Sequence, residues 1–151
     1  GVPFILAGEE MLRDKKGVHN SYNSPDEINR LDWNNLKRYP QVFDYYRRLI
    51  SLRKNHPAFR LGKADAVRHS LEFLPVQPNL VAFRLKDHAG GDAWKDIIVV
   101  LNSSKETRTV NVTEGNYTVV CRDGRIDESG LGHINGSSLS VSPQSALIVH
   151  N

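Results

Sequence analysis

Apolar positions along the 151-residue chain fall into two regimes that change near residue 63. Val2 to Ala7 form an unbroken apolar run between glycines, the pattern of a strand buried on both faces, as in a parallel sheet. Glycine, Pro25 and polar residues then dominate 14–29, with Asn20, Asn23 and Asp26 as turn formers, which predicts a long loop. Structureless loops of that length are uncommon in compact domains and tend to be functional. Residues 40–55 carry Val42, Phe43, Tyr46, Leu49, Ile50 and Arg53 at i, i+3, i+4, i+7 spacing, which predicts an amphipathic helix packed on a sheet. Pro40 suits its first turn and Pro57 stops it.

Beyond residue 63 the period shortens to that of strands. Runs at 71–74, 79–85, 96–101, 107–112, 116–120, 138–141 and 146–149 are alternating or β-branched. Gly90-Gly91, Glu114-Gly115-Asn116, Asp123-Gly124 and Asn135-Gly136 supply turns between them. Strands at this spacing without intervening helices predict an antiparallel sandwich. The expected fold is therefore α+β: one strand–loop–helix unit over 1–63, then an all-β module over 64–151.

Composition narrows the function classes. A hydrophobic share of 39% with 25% charged residues is a globular balance. The net charge of +3 comes without a basic face interleaved with aromatics, which argues against a nucleic-acid partner. The charge is divided, net +5 before residue 64 and −2 after it, as if the two segments had different origins. No run approaches the roughly 20 apolar residues of a membrane span. The single cysteine, Cys121, excludes an intrachain disulfide or a cysteine metal cluster, and in its valine-rich strand it reads as a small buried hydrophobe. Six histidines lack metal-ligand spacing, so exposed or capping roles are expected of them and no metal or cofactor is. Localisation is not legible in these residues.

The chemistry concentrates in the first segment. In a (β/α)8 barrel the loop after a strand lies on the active face. On that reading Glu9, Glu10 and the loop through Arg30 face a substrate. Asn20, Tyr22, Asn23, Asp26, Asn29, Arg30, Asp32 and Trp33 combine amides, carboxylates, a guanidinium and aromatic rings. Such groups suit a sugar, whose paired hydroxyls donate and accept while its C–H face stacks on a ring. Asp26 and Arg30, four residues apart, could grip two adjacent hydroxyls; each alone is equally compatible with a surface loop or a helix cap.

Gly1-Val-Pro-Phe-Ile-Leu-Ala-Gly8-Glu9-Glu10 resembles the G-x-P-x-x-x-x-G-x-E stretch on barrel strand eight of the α-amylase superfamily of glycoside hydrolases. Leu12-Arg13, Asn20-Ser-Tyr-Asn-Ser-Pro-Asp26, Asn29-Arg-Leu-Asp-Trp33 and Arg53-Lys-Asn-His-Pro-Ala-Phe-Arg60 resemble type I pullulanase within it. The resemblance is strong over 1–60 and weaker over 71–74, 82–85 and 94–102, which look like the family's C-terminal β-sandwich. It implies the last βα unit of a (β/α)8 barrel followed by that sandwich.

The resemblance also assigns roles. Asp26 and Arg30 match the D-x-x-x-R pattern that holds a glucose unit on the non-reducing side of the cleaved bond. Asn20 and Tyr22 match a stretch near the same cleft. Glu10 is expected to buttress the barrel mouth by hydrogen bonds, and Trp33 to pack under the loop, with sugar stacking the lesser alternative. No catalytic residue is expected among the 151. A retaining glycosidase needs two carboxyl groups about 5–5.5 Å apart, and the family's lie on strands four, five and seven, upstream of residue 1. Glu9 and Glu10 do not substitute for them, since adjacent strand residues point to opposite faces.

The implied parent cleaves α-1,6 linkages in pullulan, glycogen fragments or limit dextrins with retention, while the segment alone is inactive. The alternatives are an isoamylase or glycogen-debranching relative, or a carbohydrate-binding β-sandwich against the favoured structural one. Without barrel neighbours, residues 1–35 are expected to be poorly ordered, to rearrange, or to self-associate through the exposed strand at 2–7.

Overall fold

The computed structural model describes residues 2–151, packed as two compact units that meet in sequence between Arg48 and Leu49. The first unit is loop-rich. A 3₁₀ turn at Glu9–Met11 precedes two single-turn helices, α1 (Asp26–Asn29) and α2 (Asn35–Arg38), and the long helix α3 (Pro40–Asn55) runs on into the second unit. The strand expected at 2–7 is not formed, and Val2 and Phe4 are 94% and 98% exposed. A parallel strand is held by neighbours on both edges, and none of the described residues pairs with this run. With no strand there, the expected strand edge for self-association is likewise missing.

Helix α3 occupies the residues its periodicity predicts, but its apolar stripe is not packed on a sheet. Phe43, Leu49 and Ile50 remain exposed, and Leu52 is the residue it buries. The stripe matches a partner that the described residues do not supply. The helix end is clasped by the segment that follows. Arg60 donates from Nε to the Arg53 carbonyl at 2.8 Å and from Nη2 to that of Lys54 at 2.9 Å, while Arg53 donates to the Phe59 carbonyl. The two Arg60 bonds satisfy carbonyls that the last helical turn leaves open.

The second unit is the all-β module. After α4 (Ala64–Ser70) come β1 (Leu71–Phe73), β2 (Leu80–Leu85), β3 (Ile97–Asn102), β4 (Arg108–Arg122), β5 (Arg125–Ile126), β6 (His133–Val141) and β7 (Ser145–His150). Every pairing among them is antiparallel, in the order β1-β2-β3-β7-β4-β5, with β6 on β4. The 15-residue β4 belongs to two ladders: Arg108–Thr118 pair with β6 and Thr118–Arg122 with β7. Alternate residues of these strands form one core, including Ala82, Ile98, Val100, Val119, Leu139, Leu147 and Val149.

Two turn expectations fail here. The runs at 107–112 and 116–120 are one strand, and Asn135-Gly136 lies inside β6. Gly115 pairs with Gly136, which sits at φ 125°, and the register shifts between Asn111 and Gly115. A β-bulge absorbs the turn-forming residues without reversing the chain. Asp123-Gly124 does turn, with φ of 50° and 74°, the two positive values of a type I′ hairpin. Cys121 is buried, as expected.

The loop between β2 and β3 is held by Asp92, whose side chain is fully buried. Its carboxylate pairs with His56 Nδ1 at 2.9 Å and accepts N–H bonds from Trp94 and Ala58 at 3.0 and 3.2 Å. Burial alone would raise the Asp92 pKa, but the His56 side chain and the two N–H groups outweigh it and hold it below its ordinary value. Trp94 lies between two imidazoles, stacked on His56 at 3.4 Å and His150 at 4.0 Å between ring centroids. His56 is thus a buried structural residue and neither of the two roles expected for it. No helix among the described residues is long and apolar enough to cross a membrane.

Candidate functional site

The loop of the first unit is built outward from Gly8. Gly8 adopts φ 101°, and its N–H donates to Glu10 Oε2 at 3.0 Å. Its carbonyl accepts the N–H of Met11 and of Arg13. A Cβ at this position would lie 2.8 Å from both Arg13 Cβ and Leu31 Cδ2, so the turn requires glycine on conformation and on space. Glu9 and Glu10 therefore sit in a 3₁₀ turn and not on a strand, and Glu10 is engaged with the backbone.

From this turn Arg13 reaches across the loop. It donates to the Asn29 carbonyl at 2.7 Å and to that of Ala7 at 3.3 Å. Asn29 in turn donates from Nδ2 to the carbonyls of Ser21 at 2.7 Å and Ser24 at 2.9 Å, while Lys15 Nζ donates to Ser21 Oγ at 2.7 Å. Ser21 is buried and Asn29 half-buried. The polar loop thus has a hydrogen-bonded interior in place of an apolar one, which satisfies backbone carbonyls that would otherwise need water.

That interior turns other side chains outward. Asp26 and Arg30 bracket α1, whose closing bond runs from the Arg30 N–H to the Asp26 carbonyl at 2.8 Å. Both side chains are exposed, and neither hydrogen-bonds or ion-pairs with any described residue. Asp26 does not cap the helix, so the cap reading falls away. Asn20 and Tyr22 flank the anchored Ser21 and are both exposed, Tyr22 at 85%. The Asn29–Ser21 bond therefore brings these two beside the residue preceding Arg30.

Two expected residues behave otherwise. Trp33 is 64% exposed and does not pack under the loop. Asp32, grouped with the sugar-suited residues, accepts from the Asn34 N–H at 3.1 Å and from Arg38 at 3.2 Å across the start of α2. Asn29, also in that group, is spent inside the loop. Arg13, Lys15 and Ser21 are the positioning residues that sequence reasoning missed; a buried serine next to two exposed neighbours leaves no periodic signal. No group of three or more potential metal ligands occurs among the described residues.

An exposed carboxylate and guanidinium one helical turn apart, beside an amide and a phenol ring, can bind a polyol by paired donor and acceptor contacts. Residues 67–125 match the family model "Pullulanase, all-beta domain". The chain is 50% identical over 107 residues to a pullulanase of Bacillus subtilis, an alignment covering 71% of this chain and 15% of that protein. Among solved structures, a pullulanase from Bacillus acidopullulyticus aligns over 100% of this chain and 18% of its own, with a TM-score of 0.95 and 44% identity. The type I pullulanase of Bacillus subtilis complexed with maltose aligns over 99% of this chain and 21% of its own, with a TM-score of 0.91 and 39% identity. The chain therefore spans about a fifth or less of these relatives. In sequence and in fold the chain is similar to pullulanases, and residues 67–125 of its β module match their all-beta domain.

Proposed function

We propose that the chain is part of a starch-debranching glycoside hydrolase and that its first unit binds α-glucan. The observation that carries this reading is the free Asp26–Arg30 pair on one helical turn, set beside exposed Asn20 and Tyr22. Asp26 accepts from, and Arg30 donates to, adjacent hydroxyls of one glucose unit on the non-reducing side of the cleaved bond, with Asn20 and Tyr22 extending the contact. Glu10 fixes the Gly8 turn behind this surface, and exposed Trp33 is available to stack on a sugar ring. The similarity to a pullulanase solved with maltose supports a maltooligosaccharide as the ligand class.

In this reading residues 1–63 complete a (β/α)8 barrel as its last βα unit, and residues 64–151 form a structural β-sandwich. Pairing within that barrel would give the run at 2–7 its strand conformation and cover the stripe of α3. The two catalytic carboxylates of retaining α-1,6 hydrolysis come from other barrel strands, so the 151 residues alone do not turn over pullulan. In the full-length enzyme, Asp26→Ala is expected to lower kcat/KM on pullulan by about 5- to 150-fold, the equivalent of 1–3 kcal/mol for polar groups left unpaired. Unchanged kcat/KM would overturn the assignment, as would robust pullulan hydrolysis by the isolated chain.

A further inference from the structure

A cleft of about 280 Å³ opens in the second unit, where β3 begins and β7 ends. Its apolar lining is Leu74, Ile98 and Val112, and its polar lining includes Glu72, Arg84, Lys95 and Glu114. Arg84 and Asp96 form an ion pair at 2.8 Å, with the Asp96 side chain 4% and the Arg84 side chain 28% exposed. Asp96 is fully occupied, since its other oxygen accepts the Asp87 N–H at 3.2 Å. Arg84 spends only Nη2 on that pair, which leaves Nε and Nη1 without a partner among the described residues. The side chains of Glu72, Lys95 and Glu114 likewise make no hydrogen bond or ion pair among them.

The cleft therefore offers the spare Nε and Nη1 donors of Arg84, the Lys95 ammonium and the Glu72 and Glu114 carboxylates over an apolar floor. Cationic and anionic groups stand together in this lining, three carboxylates with Asp96 against two cations, which disfavours a simple anion. A hydroxyl donates and accepts at once, so a polyol meets both kinds of group with matched bonds. A second feature falls at the same place. The β4 bulge between Asn111 and Gly115 leaves Val112, Thr113 and Glu114 out of the β6 ladder and in the cleft wall. Its Thr113 carbonyl is held by the Tyr117 hydroxyl at 2.5 Å. Bulges at such positions re-aim side chains beside binding sites.

We propose that this cleft is a second saccharide site, which takes one terminal glucose unit of an α-glucan through its hydroxyls. The space suits one sugar ring and not an extended chain. Tyr117, the aromatic residue of the lining, is buried and offers no open ring face for stacking, so the affinity is low. The ligand class rests on the debranching-enzyme reading, but the site is separate from the loop of the first unit.

Titration of the 151-residue chain with maltotriose, followed by amide NMR with glycerol as control, tests this directly. Saturable shifts are expected at Glu72, Arg84, Lys95 and 113–117, and not with glycerol at matched hydroxyl concentration. Lys95→Ala and Glu72→Gln, both exposed rim positions, should each weaken these shifts about fivefold, as for one lost hydrogen bond, and leave distant amides unmoved. Absent shifts, an equal glycerol response, or unchanged titration in both variants would overturn the proposal. Shifts confined to 20–33 would overturn it while sustaining the first-unit reading; shifts confined to the cleft would do the reverse.

Discussion

A handful of residues decides whether the first unit presents a binding surface. Gly8 is the most constrained of them, because any side chain there meets both a left-handed φ and two contacts at 2.8 Å. Gly8→Ala is expected to cost about 1–3 kcal/mol locally, read as lost hydrogen-exchange protection at Met11 and Arg13, whose amides bond to Gly8. Unaltered protection at both would show that the turn tolerates a side chain. At this scale the sequence was partly legible. Asp26 and Arg30 stood out because a four-residue spacing places both at one helical turn. Asn29 and Asp32 belong to the same chemical classes and were grouped with them, yet both are consumed by hydrogen bonds within the loop. Residue type cannot separate an outward amide from an inward one; only the pairing of Asn29 with Ser21 and Ser24 does so.

Among the elements, α3 and the segment after it were the most legible, since a 3.6-residue period bounded by prolines is a local signal. Strand continuity was less so. Glu114-Gly115-Asn116 and Asn135-Gly136 are strong turn sequences, but they face each other across β4 and β6 and are absorbed into a bulge. Such an outcome depends on the partner strand, which no local window contains. The Asp92 and His150 environments around Trp94 give this part of the module a defined response to acid. Burial lowers the His150 pKa below 6.5, so the folded state binds this proton less readily than the unfolded chain. Its contribution is complete above pH 6.5 and declines as pH falls toward the lowered value. Asp92 acts further down: its folded pKa lies below 3.8, so its contribution is present above that pH and lost as pH falls through the folded value. Thermal melts should therefore show Tm falling in two stages below pH 6.5. His150→Phe, which retains a ring against Trp94, should flatten the upper stage alone. A Tm independent of pH between 6.5 and 5 in the unsubstituted chain would refute this.

Taken whole, the molecule distributes its apolar burial unevenly. The second unit holds the continuous core that joins β2, β3, β4, β6 and β7, whereas the first has Met11 as its single buried large hydrophobe among the described residues. Limited proteolysis is expected to cut within 2–39 first and to leave a resistant piece that retains 64–151. Early cleavage inside β3 or β7 would contradict that order. The difference also explains what the sequence could disclose at this scale. The β module completes its own core, so its strand pattern suffices to recognise it. The first segment buries little of its apolar pattern, and the run at 2–7 makes no ladder among the residues described here.

The position of β7 between β3 and β4 has a consequence for biosynthesis. The strand that joins the two ladders of the module is formed by residues 145–150, made after every other strand. While those residues are still inside the ribosome, β3 and the far half of β4 each expose an unpaired edge, so the module closes only once 145–150 have emerged. A chain stopped at residue 144 should accordingly be recovered in aggregates, even though it lacks only the last seven residues of this sequence.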